Sequence, residues 1–184
     1  MAGSLIKVDE FTVSSAVSNV ILGGGSSGSS GLNASIDSTY DVYMVKYNNA
    51  IPNTDNSSFR FRVTVSGTAD TTANYDTANK QLASDTTFVN NSGTNATEFG
   101  IITLGTAGNE SSNGIIYLFN FNNASEYSFI TYETTDRNTN GALRGSQGGG
   151  VHTVAQSCDG LEFFFSNSSD FDTGTTFTLY GLAK

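Results

Sequence analysis

The sequence predicts an all-β protein: an antiparallel β-sandwich, jelly-roll-like, with about ten strands and at most one short helix. Three observations carry that expectation. Segments of alternating apolar and polar residues recur along the chain. The clearest is "FRFRVTVSG", where Phe59, Phe61, Val63 and Val65 face inward and Arg60, Arg62 and Thr64 face outward. The 20 glycines against a single proline make glycine the turn former. No strand–helix–strand alternation occurs, which excludes a parallel α/β sheet. One domain over residues 1–184 accommodates the whole length.

Taken in order, "SLIKVDEFTV" places Leu5, Ile6, Val8, Phe11 and Val13 in near-alternation and predicts a strand with an irregularity near Asp9. "AVSNVIL", Ala16 to Leu22, predicts the next strand. The run "GGGSSGSSG" predicts a flexible Gly/Ser loop at 23–31. In "STYDVYMVKYNN", Tyr40, Val42, Met44 and Lys46 share one face and Tyr43, Val45 and Tyr47 the other, so a central strand is expected. Within "TANYDTANKQLAS", Tyr75, Ala78 and Leu82 fall at helical spacing and predict the one short helix.

"TEFGIITL" predicts a strand from Thr97 to Leu104, and "NGIIYLFNF" and "EYSFITYE" predict a hairpin about "NNAS". A second glycine cluster, in "GALRGSQGGGVHTVA", precedes a brief strand expected around Val151 to Val154. The chain closes on Leu161 to Phe165 and Thr175 to Leu182, expected to pair with each other through a turn at Asp170, Asp172 and Gly174. Their core share is Leu161, Phe163, Phe165, Phe177 and Leu179. Phe164 and Tyr180 point to the opposite face, under a loop or against another subunit.

Composition narrows the function. The net charge is −9, and the 8 basic residues are scattered from Lys7 to Lys184. Binding a phosphate backbone needs clustered cations, and an acidic field repels nucleic acid and anionic membranes. Charged residues make up only 14% of the chain, and Ser, Thr and Asn are abundant, so the expected surface is polar but uncharged. The N-terminal segment lacks the charged start and apolar run of a signal peptide, and no stretch approaches the roughly 18–20 apolar residues of a membrane span. Cytoplasmic synthesis is expected.

Chemistry-bearing constellations are sparse. Gly23, Gly25 and Gly28 spell a dinucleotide-type glycine pattern, but the residues that follow make a poor helix, so a loop is expected. His152 is the sole histidine and Cys158 the sole cysteine. Their even offset puts them on one side of a strand but well apart. A surface or turn histidine and a small buried cysteine are expected. The carboxylate pairs Asp170/Asp172 and Asp37/Asp41 suit glycoside hydrolysis or calcium in principle. The first pair sits where a turn needs Asp and Gly. No catalytic, cofactor-binding or metal-binding residue is assigned. Tyr40, Tyr43, Tyr127 and Tyr132, in a Ser/Thr/Asn-rich setting, supply aromatic surface for sugar stacking or for ordinary cross-strand pairing.

The segments "SLIKVDEFTVSSA", "STYDVYMVKYNN", "TANYD", "NGIIYLFNFNNASEYSFITYET", "RGSQGGGV" and "DGLEFFFS" through "GTTFTLYGLAK" together resemble a family of small virion structural proteins of tailed bacteriophages, marine ones especially. The likeness runs through most of the chain and departs at "GGGSSGSSG", which looks like an insertion in a short hairpin. The resemblance implies a one-domain, non-enzymatic β-sandwich of the virion, assembled in the host bacterial cytoplasm. The expected function is that of a capsid decoration or cement protein. Its expected partners are the major capsid protein or other virion proteins, with self-association into a homo-oligomer, a trimer among the options. The alternative is a tail-tip or tail-fibre-associated module that recognises host-surface carbohydrate.

Overall fold

The computed structural model describes residues 3–23, 31–32, 34–85 and 88–183. Of the Gly/Ser loop expected at 23–31, residues 24–30 lie outside the described residues. Fourteen strands occur among those described: β1 (Leu5–Thr12), β2 (Asn19–Leu22), β3 (Gly31–Leu32), β4 (Val42–Ala50), β5 (Ser57–Val65), β6 (Thr68–Ala69), β7 (Tyr75–Ala83), β8 (Val89–Ala96), β9 (Phe99–Leu104), β10 (Ser112–Phe119), β11 (Ser128–Arg137), β12 (Leu143–His152), β13 (Gly160–Phe165) and β14 (Thr176–Leu182).

They form two facing sheets. The 8-stranded sheet runs β1-β14-β4-β10-β11-β12-β7-β8, and the smaller sheet runs β3-β2-β13-β5, with β6 and β9 both paired to β5. Pairing is antiparallel except between β2 and β3. Within this order lies a jelly roll. The quartet β1-β14-β4-β10 faces the quartet β2-β13-β5-β9, first strand pairs with last, and successive strands of the two quartets, the neighbours β5 and β9 excepted, alternate between the sheets as two Greek keys do. Two insertions extend the larger sheet: the β7–β8 hairpin between β5 and β9, and the β11–β12 pair between β10 and β13.

The core lies between the quartets. Phe59 on β5 meets Phe163, Phe165, Phe171, Phe177 and Tyr47 with ring centroids 5.0–6.5 Å apart. Phe59, Phe61 and Val63 are fully buried, as their alternation with the two arginines predicts. Thr64 departs from that pattern. It is buried because its hydroxyl donates to the Asp159 carboxylate at 2.7 Å. The irregularity expected near Asp9 is a bulge, where the β1–β14 register shifts between Lys7 and Asp9.

Other expectations are corrected. No helix occurs among the described residues, and the segment expected to be helical is β7, paired residue for residue with β12 from Tyr75 to Ala83. Tyr75 is buried while Leu82 is 41% exposed, so the helical stripe read from their spacing has no core to face. The brief strand expected at Val151–Val154 is the far end of ten-residue β12. Its glycines serve close packing: a Cβ on Gly150 would lie 2.7 Å from the Phe99 ring, which seals that strand from inside. Finally, β13 and β14 do not form a hairpin. β13 pairs with β2 and β5, and β14 with β1 and β4.

Candidate functional site: the outer face of the larger sheet

Apolar side chains appear on both faces of β4 and β10, because these strands are central to the larger sheet. Inward go Tyr43, Val45, Tyr47, Ile116 and Leu118. Outward, cross-strand register builds rows. One row runs Tyr180, Met44, Tyr117, Thr131, Gly149, Ala78 across β14, β4, β10, β11, β12 and β7. The next runs Val42, Phe119, Phe129, Val151, Asp76. Tyr117 is 37% exposed and Phe129 45%. Ionic groups border these rows: Lys7 on β1 opposes Tyr180 at the end of the first, Lys46, Glu133 and Lys80 stand in the adjacent row beyond Tyr117, and Asp76 ends the second. Glu133 is already engaged, accepting from Gln147 at 2.8 Å. Two shallow grooves cross the face. One, of ≈ 520 Å³, runs past Ile115, Tyr117 and Thr131, and the other, of ≈ 380 Å³, runs between Phe129, Gly149 and Gly93.

The outer face of the smaller sheet has the opposite character. Arg62 reaches Glu98 at 3.2 Å and Glu162 at 3.4 Å, and Arg60 reaches Glu98. Asn19 donates to Glu162 at 2.8 Å. The Arg62 guanidinium lies 4.2 Å over the outward-facing Phe164 ring. Burial would raise the Glu98 carboxyl, but the Thr97 hydroxyl and the two arginines outweigh it and hold it below its ordinary value. Charges here satisfy one another.

A third feature is a cleft of ≈ 480 Å³ at one end of the sandwich, lined by Tyr40, Asp37, Asp41, Asn120, Asn122 and Asn123 among others. Tyr40 stands edge-on to Tyr43, with centroids 5.4 Å apart. The Asp37 carboxylate accepts from the Thr39 N–H and the Tyr43 hydroxyl, both at 2.8 Å, and the Thr39 N–H leads in holding its pKa below the usual value. Of the four tyrosines expected to supply surface, Tyr43 and Tyr132 are core residues at 3% and 2% exposure, and only Tyr127 and part of Tyr40 reach solvent.

His152 is fully buried, which corrects the surface or turn expectation. Its ring packs against Tyr75 at 4.9 Å, and its Nε2 lies 3.0 Å from the Asp70 carboxylate. Nδ1 is buried without a hydrogen-bond partner. That assigns the Nε2–H tautomer, donating to Asp70. Cys158 is buried as expected, beside the Ser128 hydroxyl at 3.5 Å, and burial pushes its thiol up to about 11. A thiol held protonated is a poor nucleophile. The Asp172 carboxylate accepts from the Thr173 N–H at 2.7 Å, Asp170 receives Asn53 at 3.4 Å, and Gly174 has φ +90°, so this pair shapes the connection between β13 and β14. Among the described residues no group of three or more His, Cys, Asp or Glu side chains is placed to hold a metal ion.

The inner face of the inserted strands is polar. Asp136 on β11 pairs with Arg144 on β12, which also donates to the Thr103 carbonyl of the opposite sheet. Thr134 Oγ1 and Asp136 Oδ1, successive inward positions of β11 after Tyr132, are buried without partners among the described residues. The alternation of "EYSFITYE" foretells the strand, but a Thr–Asp continuation facing inward carries no apolar signal.

No family model, curated protein or solved structure matches this chain. The outer aromatic face was legible only in outline. "NGIIYLFNF" is apolar at both parities, the mark of a strand covered on both sides, yet nothing in it says that β11 and β4 bring Phe129 and Met44 alongside Tyr117.

Proposed function

We propose that this chain is a non-enzymatic virion structural protein of a tailed bacteriophage, a decoration or cement protein that docks on the major capsid protein through the outer face of its larger sheet. One observation carries the reading: the contrast between the two outer faces. A protein of net charge −9 leaves two adjacent rows across one sheet uncharged at their centre, with Tyr117 and Phe129 exposed, Phe119 and Tyr180 half-buried beside them and Met44 buried beneath. The other sheet's surface is a closed ionic lattice. Interface cores are depleted of charge and enriched in aromatic residues and Met, and contiguous exposed apolar patches mark contact sites. The jelly-roll order, which virion proteins often use, and the resemblance of the chain's segments to phage virion proteins support the same reading. Partners are then capsid proteins rather than nucleic acid or membrane, and the site of action is the virion, assembled in the host cytoplasm.

The test uses particles stripped of the protein and re-bound with recombinant chain. Tyr117→Glu and Phe129→Glu are expected to weaken binding at least tenfold, about 1.4 kcal/mol, without lowering the melting temperature. Binding equal to wild type sinks the docking face.

A second reading, recognition of host-surface carbohydrate from a tail position, is favoured by the end cleft, where Tyr40 stands among Asp37, Asp41 and three asparagines. A glycan array with hits abolished by Tyr40→Ala supports it, and an array without hits removes it.

A further inference from the structure

Sheet edges are where a β protein must choose between solitude and pairing, because each edge strand presents a row of unpaired N–H and C=O groups. The two edges of the larger sheet differ. β1 carries Lys7, Asp9 and Glu10, a Lys7–Glu10 ion pair at 3.7 Å, and the bulge between Lys7 and Asp9. Those are the devices that blunt an edge. β8, "VNNSGTNA", has no charge and no proline. The neutral stretch is longer than the strand, since no Asp, Glu, Lys or Arg occurs between Asp85 and Glu98. β8 pairs with β7 on one side, and no other described strand pairs with it. The Ser84 N–H bonds the Leu143 carbonyl and the Thr153 N–H the Asn74 carbonyl, so even-numbered residues of β7 bond β12, and Gln81, Asn79 and Thr77 bond Val89, Asn91 and Gly93. In the regular part of β8 it is therefore Asn90 and Ser92 that turn their backbone N–H and C=O away from β7. Its one bulge lies at the far end, near Asn95, and leaves Val89–Gly93 regular.

Beside this edge is an exposed apolar corner. Phe88 is 61% exposed, Leu143 58%, and Leu82 and Val89 each 41%. Lys80 covers part of Phe88, its ammonium 5.0 Å from the ring centroid.

We propose that β8 is a self-association edge: it pairs antiparallel with β8 of a second copy across a two-fold axis, joining two larger sheets into one continuous sheet. Charge selects a second copy as the occupant. Two chains of net charge −9 repel, and of the two edges of the larger sheet this is the one along which they approach without opposing charges. The side chains are also self-complementary. Asn90, Ser92 and Thr94 each donate and accept, so an identical strand satisfies them, as an isologous contact requires, while Asn91 already donates to Asn79 at 3.1 Å. This inference does not depend on the virion reading, and its failure leaves the docking face untouched.

Sedimentation equilibrium of the recombinant chain tests it. Wild type is expected to dimerise. Asn90→Lys with Ser92→Lys, both exposed, sets like charges against each other and is expected to weaken the dimer at least about tenfold with an unchanged far-UV circular dichroism spectrum. With the two-fold axis at Asn91, the centre of the regular stretch Val89–Gly93, Asn90 opposes Ser92 of the second copy and Asn91 opposes itself. Asn91→Cys under oxidation is therefore expected to give a disulfide-linked dimer: directly opposed residues lie within about 5.5 Å, and the native thiol of Cys158 is buried. A wild-type monomer, or an oligomer insensitive to the lysine pair, overturns the proposal. Should the lysine variant lose its strand signal, the cross-link decides alone, and its absence overturns the proposal as well.

Discussion

Phe163 and Phe177 meet ring to ring, with centroids 4.8 Å apart and planes inclined by 34°, although their strands belong to opposite sheets. The closing segment of the chain is therefore a crossing of the sandwich. It places one phenylalanine in each layer and brings them together at the midplane. Phe163 also stacks near Phe59 and Phe61.

Truncation at that midplane opens a cavity that neither sheet can collapse alone. Phe163→Ala is expected to cost roughly 3–5 kcal/mol, read from urea unfolding. A loss below about 1 kcal/mol would place Phe163 outside the cooperative core.

The buried Arg144–Asp136 pair makes a second, electrostatic prediction. Burial pushes the Asp136 carboxyl up while Arg144 opposes the shift, so the pair holds a charge that the site would otherwise refuse. Arg144→Ala strands that charge and also removes the link to the Thr103 carbonyl. The expected cost is about 3–5 kcal/mol at neutral pH. Asp136→Asn in the same background is expected to recover part of it, and no recovery in unfolding measurements would contradict the electrostatic account.

The His152–Asp70 contact sets a pH dependence. Burial lowers the His152 pKa below its ordinary 6.5, and the opposing pull of Asp70 is smaller. A proton added at Nδ1 has no acceptor there. In the interval below 6.5 the unfolded chain thus binds the proton that the folded chain refuses. The contribution is fully present above 6.5 and is lost as the pH falls through that value toward the folded one. Asp70 adds a separate loss at lower pH: its own burial raises its pKa, but hydrogen bonds from Thr72 and the contact with His152 outweigh that and hold it below its ordinary value. In melting curves across this range, His152→Gln is expected to flatten the upper step. An unchanged step would show that other groups cause it.

How much of this was legible beforehand follows the physics of each segment. Ser57–Val65 alternates apolar and charged residues because one side meets the core and the other meets water, so its fate is written locally. Tyr75–Ala83 and Leu143–His152 are held by each other. Their glycines, asparagines and threonines acquire strand geometry from pairing and from the Phe99 ring above Gly150, neither of which local sequence displays. Val89–Ala96 has no buried side and so no periodicity to read. For Leu161–Phe165 and Thr176–Leu182, alternation declares two strands and their core residues correctly but is silent on partners. The ten residues between them look like a hairpin loop and instead cross the sandwich. The docking face needed all of this, since its rows exist only once six strands are in register.

The proposed coating of a capsid lattice through the larger sheet is decided by quantifying the chain against the major capsid protein in purified phage particles whose genome encodes it. Copies in fixed proportion to the capsid protein, located on the shell, are expected. A few copies confined to the tail, or none in the particle, would contradict it.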